Sequence, residues 1–187
     1  MIDFNSIIGR GKLSRLALLF LFCLACGASQ ARVKAKGPDQ ALGVGDKAPD
    51  FDLPIQGTDA YVSLSGLVAD GPVVVIVLRG YPGYQCPLCT SQVGAMINRA
   101  KRLADVVGDE PQRVVIVYPG LDAGLEGRAR RFMGSRRHLP DPMVLVRDPG
   151  MEMVKQWGLR WDKRGETAYP AAFLIGPGRR VKWAKVS

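Results

Sequence analysis

The sequence predicts an α/β fold, a central mixed sheet with helices on both faces that ends in an antiparallel hairpin. Three observations carry this. Val73-Val74-Val75-Ile76-Val77-Leu78 and Val114-Val115-Ile116-Val117-Tyr118 are continuous, mostly β-branched runs, the kind buried on both faces of a parallel sheet. Segments of helical periodicity follow each run. The chain closes with Ala171-Ala172-Phe173-Leu174-Ile175, a Pro177-Gly178 turn and Arg180-Val181-Lys182-Trp183. At 187 residues, 47% hydrophobic and 23% charged, the chain has apolar mass for one core without disulfide staples.

Taken in order, Arg10, Lys12 and Arg15 precede an apolar run from Leu16 to Ala28 and the small residues of Ser29-Gln30-Ala31. That pattern is a secretory signal over residues 1–31, since a spanning helix needs about 20 apolar residues. Leu24-Ala25-Cys26-Gly27 also resembles a lipoprotein cleavage box, with Cys23 where Leu usually stands, so lipidation at Cys26 is the alternative. Either version exports the domain, to the periplasm or to a membrane anchor facing it, where dithiols meet an oxidising compartment. Without residues 1–31 the chain keeps 23 basic against 16 acidic residues, +7 in place of +9. Arg128, Arg130, Arg131, Arg136 and Arg137 form the densest basic cluster, and a solvated helix face accounts for it. No aromatic interleaving points to nucleic acid.

Residues 32–42 are polar and basic without periodicity and read as a flexible tether to a domain spanning 43–187. Gly45 to Pro54 and Val62-Ser63-Leu64 alternate as short edge segments. After the first buried run, Val93, Met96, Ile97, Ala100, Leu103 and Val107 recur at helical spacing, predicting one amphipathic helix of about five turns. A basic helical stretch runs from Ala123 to Arg136, Pro142 to Val146 reads as a strand, and Met151 to Leu159 as a short helix.

Cys86-Pro87-Leu88-Cys89 stands where the first buried run gives way to the helical pattern. Pro87 suits the first helical position, which puts Cys86 at the helix N-terminus. Unpaired N–H groups and the positive end of the dipole favour a thiolate there, so Cys86 is the expected nucleophile. Cys89, one turn further, is placed to resolve a mixed disulfide or sulfenic acid on Cys86. Zinc needs about four ligands, more than two cysteines and His138 supply. Those three converging on copper would make a non-enzymatic metal-binding or redox-sensing module, the alternative outside enzymology. Trp157, Trp161 and Trp183 are expected to be buried and receive no role.

Gly45 to Pro54 (GDKAPDFDLP), the strand running into Arg79-Gly80 and the dithiol, Arg147-Asp148-Pro149-Gly150 and Tyr169-Pro170-Ala171-Ala172-Phe173-Leu174-Ile175 together resemble the alkyl hydroperoxide reductase and thiol-specific antioxidant family. The likeness spans about residues 43 to 184 and implies a peroxiredoxin-like variant of the thioredoxin fold. It further implies that Pro170 is a cis-proline facing the dithiol, leaving the Tyr169 backbone free to pair with substrate, and that Arg79 orients a peroxide. Two departures stand out. Gly83 occupies the position of the family's peroxide-activating Thr or Ser, and the chain stops at Ser187 before the family's final helix, so one sheet face is expected to lack its cover, which a homodimer would fill.

The expectation is an exported thiol-dependent oxidoreductase that uses Cys86 and Cys89 for thiol–disulfide exchange. Hydroperoxide reduction by the same pair is the alternative. No cofactor is called for, and the partners are a disulfide or hydroperoxide substrate and a thiol reductant or reductase.

Overall fold

β3 (Val73–Val77) is apolar on both faces, and the molecule is arranged around it. In the computed structural model, which describes residues 40–79, 86–107, 112–121 and 123–187, β3 pairs in parallel with β4 (Val114–Gly120) and antiparallel with β6 (Ala171–Gly176). β5 (Met143–Pro149) adds to β4 in parallel and β7 (Arg180–Val186) closes the β6 edge, giving the order β5-β4-β3-β6-β7. A two-stranded ribbon, β1 (Asp52–Pro54) with β2 (Tyr61–Ser63), precedes them. The mixed sheet of the sequence reading is therefore present. Residues 1–31 with Cys23 and Cys26, most of the 32–42 tether, and Gly83 lie outside the described residues. Among the described residues no helix is long and apolar enough to cross a membrane.

Each sheet face has its own core. On one, Val73, Val75, Val77, Val115, Val117 and Phe173 pack under α1 (Leu64–Ala69) and α5 (Glu152–Gln156). Trp157, fully buried, stands edge-on to Phe173 at 5.1 Å between ring centroids, and its indole N–H donates to the Pro49 carbonyl at 3.2 Å. Burial of this tryptophan matches the expectation. On the other face, Ile76, Leu78, Val114, Ile116 and Tyr118 pack against α2 (Pro87–Ile97) and α4 (Leu125–Met133). That second face is half-open at its β6–β7 end, where Val74, Ala172 and Leu174 are partly exposed and Trp183 is 49% exposed. Trp183 thus departs from its expected burial.

Four local expectations need correction. The single five-turn helix is two, α2 and α3 (Ala100–Val107), because at Arg99 the ladder tightens to a bond with the Met96 carbonyl at 2.9 Å. Gly94 and Asn98, both weak helix formers, precede the break. Leu64 begins α1 where alternation predicted a strand, because the Ser63 hydroxyl accepts the Gly66 N–H at 3.2 Å and caps a helix. The tether is shorter than predicted: Ala41 and Leu42 pack on the first core, and the Leu42 N–H donates to the Trp157 carbonyl at 3.3 Å. Gly158 permits this approach, at φ +67° and with a backbone that leaves no room for a Cβ beside Gln40. The fourth concerns the Tyr169–Pro170 bond. It is trans, and the cis bond among the described residues is Asp141–Pro142. Trans is the ordinary preference. Here the Tyr169 N–H is taken by the Leu159 carbonyl at 2.9 Å and Pro170 accepts from the Ser187 N–H at 3.0 Å, so the segment runs directly into β6.

Asp148, fully buried at the end of β5, accepts the Met153 and Val154 N–H groups at 3.1 and 3.0 Å and so starts α5. Burial raises its carboxyl above the ordinary range, and the backbone N–H bonds act against that rise. A folded-state value above the unfolded one, about 3.9, means that folding takes up a proton. The resulting stabilisation is full below the unfolded value and is lost as pH rises through the folded one. Asp148→Asn cannot titrate. The stability advantage of the natural protein over this variant, read from denaturant midpoints, is therefore expected to be largest near pH 4 and to shrink toward pH 7. An advantage that grows with pH would show the charged carboxylate to be the favoured form.

Candidate active site

A chain leaving the carboxyl end of β3 reaches α2 at its N-terminus, and this crossover places the dithiol. Cys86 is the N-cap of α2, with extended backbone (φ −69°, ψ 114°) and Pro87 at the first helical position, as the spacing predicted. Its carbonyl accepts both the N–H and the hydroxyl of Thr90, at 3.1 and 3.2 Å, which fixes the first turn. Neither thiol is in a disulfide and both are buried, Cys86 at 5% and Cys89 at 6% exposure, while Leu88 between them is 75% exposed.

Tyr118 approaches Cys89 from the neighbouring strand, and the sequence reading gave it no role beyond the strand. Its hydroxyl is raised above its ordinary value chiefly by burial, then lowered by Arg128, raised by Cys89 and lowered by Arg131. Tyr118 also packs on Phe132, with ring centroids 5.4 Å apart. A signal existed in the sequence, since a tyrosine ending a buried parallel strand stands where such sheets place their sites.

Arg79 and Tyr169 lie two residues beyond the paired positions Val77 and Ala171, so the antiparallel register sets them opposite one another. Trp161 joins them. The Arg79 guanidinium lies 4.6 Å from the Trp161 ring centroid, and Trp161 stacks on Tyr169 at 4.7 Å and 12°. Arg79 also forks onto Glu166, Nε to Oε2 at 2.8 Å and Nη2 to Oε1 at 2.5 Å, with both side chains mostly shielded. The loop carrying Trp161 and Glu166 is fastened in turn. The Thr167 hydroxyl donates to the Arg79 carbonyl, and Arg160 donates to the carbonyls of Glu166 and Thr167 at 3.1 and 2.7 Å.

The remaining sequence candidates separate from this group. Because the Tyr169 N–H is already bonded, the free backbone expected there is not available at that group, and its stacked ring is what it presents. His138 is exposed, and the described residues contain no group of three or more His, Cys, Asp or Glu, so it does not join the dithiol as the copper alternative requires. Glu166 and Trp161 were missed because only the fold brings residues 79, 161, 166 and 169 together.

Glu166→Gln is expected to destabilise the protein by about 1.5–3 kcal/mol, the usual worth of a hydrogen bond to a charged group. Arg79→Lys should act in the same direction, because an ammonium neither forks nor stacks. Chemical denaturation measures both. A loss below about 0.5 kcal/mol, the range of ordinary surface substitutions, would mean that the clamp does not hold this end of the sheet.

Comparison with known proteins agrees with this geometry. Residues 44–184 match the AhpC/TSA family. Comparison with curated proteins gives no match. Among solved structures, the chain is similar to the peroxidoxin BcpB from Mycobacterium tuberculosis, at 28% identity and TM-score 0.59, over 78% of this chain and 86% of that one. Reduced Prx3 from Vibrio vulnificus in complex with H2O2 shares 19% identity at TM-score 0.58, over 78% and 88%. AhpC from Mycobacterium tuberculosis shares 18% at TM-score 0.54, over 79% and 88%. With the family match spanning nearly the whole described domain, and the sheet arranged as in these thioredoxin-like folds, this chain belongs to the AhpC/TSA family and is a thiol-dependent oxidoreductase of its peroxiredoxin-like kind.

Proposed function

We propose that the protein reduces hydroperoxides through Cys86, with Cys89 as the resolving thiol. The observation that carries this reading is the burial of Cys86 to 5% exposure, which admits a small peroxide more readily than a disulfide presented by another folded protein. The similarity to a peroxidoxin at 28% identity supports it. In the first step the Cys86 thiolate attacks the distal peroxide oxygen and the O–O bond breaks. The alcohol or water leaves with the thiol proton, and Cys86 becomes a sulfenic acid. Cys89 then attacks that sulfur, water leaves, and a Cys86–Cys89 disulfide forms. An external dithiol returns both cysteines to thiols by exchange.

A second reading, thiol–disulfide exchange with a small or flexible disulfide, is favoured by the CxxC spacing and by the exposed Pro87-Leu88 between the cysteines. Arg79, Tyr169 and Pro170 are assigned to the substrate side of the site. Their place at the β3 and β6 ends supports this, with Arg79 acting while held by Glu166. Action outside the cytoplasm is part of the proposal and rests on residues 1–31. Mass spectrometry of the protein purified from an exporting bacterium is expected to find a mature chain beginning near residue 32, or a lipidated one beginning at Cys26. An intact Met1 start would refute export by cleavage.

The deciding experiment follows oxidation of the reduced Cys89→Ser variant by hydrogen peroxide and by a small disulfide. Peroxide is expected to react faster and to leave a sulfenic acid on Cys86 that dimedone traps, while the natural protein closes the intramolecular disulfide and Cys86→Ser is inert. Faster reaction with the disulfide would select the exchange reading. Failure of both would remove the dithiol from the mechanism.

A further inference from the structure

β7 carries a bulge that changes what its outer surface presents. Leu174 is opposite Trp183 and Ile175 is opposite Val181, so Lys182 is an extra residue in the ladder. Val181 and Ile175 are buried in the first core, which turns Leu174, Trp183 and Lys185 to the second face. Lys182 joins them there, since a Cβ at Gly176, two residues beyond Leu174, would meet its side chain at 2.8 Å. Regular alternation would have set Lys182 and Trp183 on opposite faces, and the bulge sets both on one.

The floor of this face is apolar and open. Val74, Leu174 and Trp183 form one row across β3, β6 and β7, the first two partly exposed and Trp183 at 49%. Cations rim it. Lys182 and Lys185 are exposed and make no ion pair among the described residues. α3 packs on the same face through Ala100 and Leu103, and Lys101 and Arg102 within it and Arg99 just before it are exposed, against the acid Asp105. An apolar floor with a cationic rim fits an anionic phospholipid surface. Tryptophan settles at headgroup level, where one end of the ring is apolar and the other wet. Lysine lays its methylenes along apolar surface and keeps its ammonium among the phosphates. A second copy of the chain fits poorly, because the β7 edge bears Arg180, Lys182 and Lys185 without an acid and pairing two such edges opposes like charges. Nucleic acid fits poorly as well, since stacking needs successive rings and the row beside Trp183 is aliphatic.

We propose that this face docks the protein on an anionic phospholipid bilayer, with Trp183 at the headgroup boundary and Lys182 and Lys185 on lipid phosphates. Val74 lies near the start of β3 and the dithiol follows its end, so the contact is separate from the thiol site and independent of which substrate that site takes. It belongs to the folded domain and adds to whatever attachment residues 1–31 provide.

Co-sedimentation with vesicles tests this, comparing phosphatidylcholine alone with equal parts of phosphatidylcholine and phosphatidylglycerol. The natural protein and its variants share one N-terminus, so differences between them report the β7 face. The ratio of partition coefficients, anionic over neutral, is expected to fall by about fivefold for each of Lys182→Gln and Lys185→Gln, the worth of one basic residue at an anionic leaflet. Both positions are exposed, so neither change disturbs the core. Brominated acyl chains in the anionic vesicles are expected to quench the tryptophan fluorescence of the natural protein and not that of Trp183→Phe, because Trp157 is fully buried. A ratio unchanged when both lysines are replaced, or quenching that persists in Trp183→Phe, would overturn the proposal. So would a homodimer that shields Trp183 from aqueous iodide, or single-stranded DNA that binds through the two lysines more tightly than the anionic vesicles do.

Discussion

β3 is paired along both edges, with β4 in parallel and β6 antiparallel. A strand apolar on both faces must be covered on both, and Val73–Val77 meets this by parallel pairing with β4, antiparallel pairing with β6 and a separate core above and below. Parallel neighbours require helical crossovers. The crossover from β3 begins α2 at the carboxyl end of the sheet, and the antiparallel β6 enters at that same end. Topology thus brings the dithiol and Tyr169-Pro170 to the same end of the sheet.

The site follows from what accumulates there. An N-terminal helix turn supplies unpaired N–H groups and a partial positive charge to Cys86. The end of β4 supplies Tyr118, which packs on Phe132 of α4. The loop before β6 supplies the Glu166 and Trp161 that hold Arg79. These groups come from separate elements, and the end of the sheet is what they share.

Arg79 illustrates how a candidate residue changes meaning in three dimensions. As a cation ending a strand just before the dithiol, it reads equally as a peroxide-orienting group or a surface ion pair. The structure finds it forked onto Glu166 and stacked over Trp161, so the guanidinium plane is held while part of its surface stays open. A planar group held in this way is preorganised, and it gives Trp161, which the sequence alone left without a role, a place in the site.

Local chemistry is written into short stretches of this chain. The β-branched runs at 73–78 and 114–118 specify buried strands because such side chains fit a pleated surface covered on both sides, and Cys86-Pro87 specifies a thiol at a helix start because proline is tolerated there. Tertiary structure decided where local signals compete or are silent. The long α2–α3 periodicity was legible, but the break at Asn98-Arg99 depends on how two helices settle over one face. Ser63 reads equally as strand or cap until Leu64 is buried. The grouping of residues 79, 161, 166 and 169 depends on Arg79 meeting a loop more than 80 residues away, as in the Arg79–Glu166 pair at a separation of 87, and the trans Tyr169–Pro170 segment is bonded to Leu159 and Ser187. Periodicity and propensity act over a few neighbouring residues, and only burial of the whole chain brings distant ones into contact.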